Sequence, residues 1–125
     1  DLVELYAGDT FCYDKEGNES KKERELEAAE KIYAMLGEKG NEMKALWEEF
    51  EDMETSEALF AASMDRLQPM LNNYHNNGGT WRNFNIAKSD VYQRIAPVKK
   101  SSTKLWDFVK HMLEDAYNKG LITKK

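Results

Sequence analysis

The sequence predicts an all-α protein, and three observations carry that prediction. Only two prolines and seven glycines interrupt 125 residues. Between them apolar residues recur at spacings of three and four, and no run alternates apolar with polar as a half-buried strand would. Hydrophobic residues at 41% and charged residues at 33% describe a soluble, globular chain. Its length suits a single domain, residues 1–125, with enough bulk to bury a core.

Each helix has a local warrant. Residues 1–7 read as the last turns of a helix stopped by Gly8. A polar loop follows, with a Glu-Gly-Asn turn at residues 16–18. Ser20 and Glu23 form a capping-box pattern that opens the next helix, whose inner stripe is Leu26, Ala29, Tyr33 and Leu36. The run Glu-Lys-Gly-Asn at 38–41 breaks it. A further helix carries Met43, Leu46, Trp47, Phe50 and Met53. Thr55 or Ser56 caps a longer helix that runs to about Tyr74, and an Asn/Gly loop comes next. Ser89 caps a short helix ended by Pro97. The last helix starts near Ser101 or Ser102, shows Leu105, Phe108, Val109, Met112 and Ala116 on one stripe, and stops at Gly120. The tail beyond Leu121 is expected to fray. No internal repeat or interdomain linker is visible.

Bulk properties exclude some functions. A net charge of −5 argues against a broad nucleic-acid surface, which needs basic excess to neutralise phosphates. It still permits a small anionic substrate held through a metal. Cys12 is the single cysteine, so no internal disulfide forms, and a reducing, cytoplasmic setting fits. No apolar run approaches the roughly 18 residues of a membrane span, so no membrane partner is expected.

The stretch SEALFAASMDRLQPMLNNY, residues 56–74, is the most informative. Phe60, Met64, Leu67, Leu71 and Tyr74 make one stripe, while Ala58, Ala61, Ala62 and Pro69 occupy the opposite face. A helix apolar nearly all round is usually buried. Asp65 lies among the alanines, where an ionised carboxylate is costly unless paired, hydrogen-bonded or bound to a metal. Pro69 removes the helical partner of the Asp65 carbonyl, so a kink is expected there. The helix alone leaves both an ion pair and a metal or catalytic role open for Asp65.

The opening DLVELYAGD, residues 1–9, gathers Asp1, Glu4 and Asp9. The first two share a helical face, and Gly8 turns the chain so that Asp9 can fold back. Three carboxylates near one point ligate a divalent metal and manage the proton of a water. Acidic residues on an exposed turn, with Asp9 capping a loop, fit the spacing as well.

The segment DLVELYAGDTFCYDKEGNESKKERELEAAEKI, with DRLQPMLNNYHNNGGTW further on, resembles the HD-domain metal-dependent phosphohydrolases. It is most similar to their 5′-deoxynucleotidase-like branch, over almost the whole chain. The resemblance implies a helical HD fold and a divalent metal held by two histidines and two aspartates. Asp1 matches the aspartate of the His-Asp pair and Asp65 the distant aspartate ligand. Glu4 matches the acid that handles protons, and Asp9 the second acid near the nucleotide. The two histidines match no position here. By the resemblance they lie ahead of Asp1, in a removed or separately carried N-terminal segment, and this chain alone is expected to be inactive. The implied metal is one of Mn, Co, Mg, Zn, Fe or Ni, the substrate a small phosphorylated molecule such as a deoxynucleoside 5′-monophosphate, and the assembly a homodimer. Two alternatives stand beside this: a helical binding or scaffold module with a degenerate HD site, and a phosphatase for a non-nucleotide phosphometabolite.

Other residues read as structural. His75 falls in a loop and His111 on the last helix, neither at a ligand position. Trp81 reads as a packing anchor, Cys12 as a small packing residue, and Lys21, Lys22 and Arg24 as a solvated helix start.

Overall fold

The computed structural model describes residues 1–123. Their elements are helical throughout: α1 (Glu4–Ala7), α2 (Lys15–Glu19), α3 (Lys21–Ala34), α4 (Glu38–Asp52), α5 (Ser56–His75), α6 (Gly79–Asn83), α7 (Lys88–Ile95), α8 (Pro97–Ser101) and α9 (Thr103–Asn118). The predicted all-α class holds; among the described residues the extended pairing is one isolated parallel bridge, Ala87 to Thr123. The chain forms two compact units, Asp1–Glu51 and the part that begins at Asp52.

In the first unit α1 and α2 both pack on α3. Val3, Ala28, Ala29, Ile32 and Tyr33 are buried together, with Ala7 and Trp47 against them. The alanines let α1 approach the α3 backbone closely, and each large apolar side chain buried here contributes about 1.5–3 kcal/mol. This face is rotated from the predicted stripe, because Leu26 and Leu36 are exposed. The predicted capping box does not form: Ser20 has helical backbone angles and makes no side-chain cap bond. Its hydroxyl instead accepts from Arg24 Nε at 3.1 Å. The expected Glu-Gly-Asn turn is part of α2, which Asp14 caps by accepting the Gly17 amide at 3.0 Å. A five-residue helix carries too little periodicity to be read from spacing. The break between α3 and α4 falls at Gly37 (φ 60°), so Glu-Lys-Gly-Asn opens α4. Gly40 is buried where α4 meets the end of α3, and a Cβ there would overlap the Tyr33 carbonyl.

In the second unit α5 packs most extensively on α8 and also on α6 and α7, while α8 packs on α9. Trp81, Ile95, Leu113, Val91, Val98 and Val109 are its largest fully buried side chains. Thr55 caps α5 as predicted, accepting the Ala58 amide at 3.2 Å, and α5 continues through Pro69 as one helix. It buries Ala58, Ala62, Ser63, Leu67 and Met70. The Ser63 hydroxyl donates to the Leu59 carbonyl at 2.6 Å, so its burial costs no hydrogen bond. The helix is buried on one side, not all round. Phe60, Ala61, Asp65, Gln68, Pro69 and Asn72 are exposed, so the expected cost of burying Asp65 does not arise.

Ala87, not Ser89, precedes α7; α7 stops at Ile95, just before Pro97 as expected, and Pro97 in turn opens α8. Proline suits that first-turn position because its missing N–H has no helical partner there. Ser102 caps α9 through the Leu105 amide at 3.3 Å. Val109, Met112 and Ala116 are buried as expected, joined by Leu113, whereas Phe108 is exposed. The tail does not fray at Leu121. Leu121 and Ile122 are buried, and Thr123 exchanges backbone bonds with Ile86 (3.1 Å) and Lys88 (3.3 Å). Lys124 and Lys125, the rest of the predicted frayed tail, lie outside the described residues. Among the described residues no helix is long and apolar enough to cross a membrane.

Candidate metal centre

Of the four carboxylates singled out by the sequence, Glu4 and Asp65 sit on helices, and Asp1 and Asp9 flank α1. Asp1 is exposed on the turn that leads into α1, and Glu4 is the first residue of that helix, half-buried. Val3 and Ala7 turn inward against α3, which holds the intervening Glu4 at the rim. Gly8 then takes φ 80° and ψ 150°, a combination open to glycine without strain, and sends exposed Asp9 off the helix. Asp65 stands exposed near the middle of α5.

All four side chains are without a hydrogen-bond or ion-pair partner among the described residues. The ion pair that the sequence left open for Asp65 is therefore not formed there. Arg24, the cation at the loop that carries Asp9, spends its donors on neutral oxygens: Nη1 on the Ala7 carbonyl at 2.6 Å, Nη2 on Thr10 Oγ1 and on the Gly17 carbonyl, both at 2.9 Å. Unpaired, solvent-facing carboxylates are hard oxygen donors, the ligand type that divalent cations take. Asp1, Glu4 and Asp9 are not drawn into one cluster, however. Among the described residues no three His, Cys, Asp or Glu side chains come close enough together to hold a metal ion. A shallow depression beside α1 is lined by Tyr6, Ala7, Arg24, Glu27, Ala28 and Lys31, and none of the four carboxylates lines it.

Trp81 packs as expected, whereas Arg24, read as part of a solvated helix start, is half-buried and hydrogen-bonded. Trp81 is 1% exposed and anchors the second unit. Asn73 Oδ1 accepts both the Thr80 amide (3.1 Å) and hydroxyl (3.0 Å), which accounts for the Asn/Gly loop without a ligand. His75 meets the edge of Tyr74, and His111 Nδ1 lies 2.7 Å from the Asp107 carbonyl. Both histidines are exposed.

The perturbed titratable groups lie around α9. Hydrogen bonds from Lys88 Nζ (2.6 Å) and the Tyr92 hydroxyl (3.0 Å) hold the Glu114 carboxyl below its ordinary range. Burial, and then the same carboxylate, push Tyr92 up to about 12. Lys119 at 2.6 Å and the Tyr74 hydroxyl at 2.5 Å likewise lower Asp115, and Asp115 raises Lys119 in return. Sequence spacing shows only the Asp115–Lys119 pair, because Tyr74, Lys88 and Tyr92 come from other helices.

A family model described as HD domain matches residues 1–106. The chain belongs to the HD-domain family. This HD domain is similar to the 5′-deoxynucleotidase HDDC2 of Dictyostelium discoideum, at 39% identity over 75 residues, which is 59% of the chain and 40% of that protein. It is also similar to the crystal structure of a predicted metal-dependent phosphohydrolase from Magnetospirillum magnetotacticum MS-1. There the TM-score is 0.91 and the identity 35%, over 98% of the chain and 62% of that protein. The HD domain thus spans less than two thirds of the length of either relative.

What sequence reasoning missed is the polar framework under the carboxylates. Arg24 was visible as part of a basic cluster, but a guanidinium that will satisfy backbone carbonyls looks like any surface cation. Asn18 is the companion: its side-chain amide donates to the carbonyls of Phe11 (3.2 Å), Cys12 (3.2 Å) and Asp14 (2.6 Å).

Proposed function

We propose that this HD domain belongs to a metal-dependent phosphohydrolase that removes phosphate from a small phosphomonoester, with deoxynucleoside 5′-monophosphates as the leading substrates. Both compact units are taken as parts of one domain. The observation that carries the reading is the match of an HD-domain model across residues 1–106, with four carboxylates in that span, three exposed and Glu4 half-buried, left unpaired among the described residues. The 5′-deoxynucleotidase similarity supports the substrate class.

By the family resemblance, Asp1 and Asp65 would each supply an oxygen ligand to a divalent ion, one of Mn, Co, Mg, Zn, Fe or Ni. Such an ion, when bound, polarises a phosphoryl oxygen and lowers the pKa of a bound water towards neutrality. Glu4 accepts the proton of the attacking water and returns it to the leaving alkoxide. Its place at the rim of the α1–α3 core leaves it half-buried and reachable by solvent. Asp9, one turn away past Gly8, orients the water or a substrate hydroxyl by accepting its hydrogen bond. Two carboxylates are short of a complete ligand set, so the 125-residue chain by itself is expected to be inactive.

The test is phosphate release by the parent protein against deoxynucleotides, ribonucleotides and sugar phosphates, with each metal in turn. Loss of activity on chelation, return on metal addition, and a preference for deoxynucleoside monophosphates are expected. Preference for a sugar phosphate would reject the substrate. Activity indifferent to chelation and to Glu4→Gln would reject the mechanism.

A further inference from the structure

We propose that Arg24 is a positioning residue for Asp9, acting through the loop that carries it; the proposal rests on the site reading above. Asp9 lies in residues 8–14, a stretch without regular structure between α1 and α2, and such segments are mobile unless tied down. This one is tied on both sides of Asp9. The Arg24 guanidinium donates to the Ala7 carbonyl two residues before it and to the Thr10 hydroxyl one residue after it. The same group reaches the Gly17 carbonyl in α2 and, through Nε, the Ser20 hydroxyl. One planar fork therefore joins the end of α1, the acidic corner, α2 and the start of α3.

The fork geometry matters. Arginine presents its donors in a rigid plane, so fixing one contact fixes the others. Lysine carries three donors on a flexible stem and holds no such plane. The guanidinium stays charged throughout the accessible pH range, yet no carboxylate among the described residues pairs with it through a contact of this loop: its partners here are carbonyl and hydroxyl oxygens. The charge stays close to Asp9 without neutralising it. Packing adds to the restraint, because a side chain at Gly17 would crowd Asp14 and the Thr10 methyl. The corner that carries Asp9 thus lies in close contact with α2 at Gly17.

Misplacing a catalytic group by about 1 Å costs on the order of 100-fold in rate. Loosening the Asp9 corner is accordingly expected to lower kcat about 10- to 100-fold, and to leave KM within about threefold where Asp9 orients the attacking water rather than a substrate hydroxyl. The experiment compares Arg24→Gln, Arg24→Lys, Asp9→Asn and the double variant R24Q/D9N in the parent protein, with amide hydrogen exchange read alongside. The amides of Gly8, Asp14, Gly17 and Asn18 are all hydrogen-bonded and serve as probes. Arg24→Gln should speed exchange at these probes while the amides of residues 28–33 in α3 keep their protection. Once Asp9→Asn has removed the carboxylate, adding R24Q should cost less than about twofold, because coupled residues are not additive.

Equal losses from R24Q with and without Asp9 would overturn the proposal, since Arg24 would then act on stability alone. Unchanged exchange at the four probes would overturn it too. If R24Q does not fold, R24K carries the same comparison. A parent protein without phosphohydrolase activity would instead sink the site reading, and the exchange measurement would still decide whether Arg24 clamps the corner.

Discussion

Replacing Asp65 by asparagine separates two accounts of this residue that the sequence could not. If Asp65 were a buried member of an ion pair, removing its charge would strand a partner and cost about 3–5 kcal/mol. The structure instead shows an exposed side chain with no partner among the described residues, for which a substitution stays within about 0.5 kcal/mol. With 125 residues and about 2.1 cal/mol/K of unfolding entropy per residue, the Tm shift is about 2 °C or less, against roughly 11–19 °C for the buried pair. The assay is thermal unfolding followed by circular dichroism, at neutral pH and with a chelator present. Metal addition then supplies the functional half. In the parent protein an ion at 100 times its Kd raises wild-type stability by about 2.7 kcal/mol, and Asp65→Asn should lose most of that gain together with the activity. A fall of 10 °C in chelator would refute the argument from exposure. An undiminished metal-induced rise would refute the ligand assignment.

Four further outcomes follow from the packing and the charges. Trp81→Ala should cost about 3–5 kcal/mol in urea unfolding, since the whole indole is buried; a cost under 1 kcal/mol would contradict its role as anchor. Ile122→Ala should cost about 2–5 kcal/mol, whereas a frayed tail would lose almost nothing. Glu114 and Asp115 have carboxyls held below their ordinary range, so their contribution is complete above the unfolded carboxylate pKa near 4 and disappears as pH falls through the lowered folded values. Tyr92 has the opposite sign: pushed up to about 12, it contributes below its unfolded pKa near 10 and is lost as pH rises from there through about 12. Lys88→Met should flatten the acid limb of a Tm-against-pH curve, and Tyr92→Phe should flatten the alkaline one.

The all-α class, the long helices and the caps at Thr55 and Ser102 were legible because each depends on neighbours in sequence. A side-chain cap needs only a hydroxyl and an amide three residues on. Ser20 shows the limit of that reasoning, since its hydroxyl is claimed by Arg24. Short helices were not legible: α2, α6 and α8 hold five residues each, too few for a period to register. Helix faces were read only approximately, because small residues tolerate either side. Ala58 and Ala62 are buried while Ala61, one position from Ala62, is exposed, and nothing local distinguishes them. That ambiguity is what made Asp65 look buried. The candidate carboxylates were legible by resemblance, but the side chains that hold their loop were not, as Arg24 and Asn18 act on backbone carbonyls at positions no spacing rule connects.

The bridge between Ala87 and Thr123 has a consequence for how the second unit comes into being during synthesis. The Ile86 carbonyl and the Lys88 amide leave the ribosome well ahead of Thr123, whose backbone is their partner. Until Thr123 has been made, the Ile86 carbonyl and the Lys88 amide lack their backbone partner, and Leu121 and Ile122 have yet to cover their part of the core. The α6–α7 junction is therefore among the last pieces of this unit to lock. A chain halted shortly before residue 121 would hold most of its helices and still present an open backbone edge to any extended segment nearby.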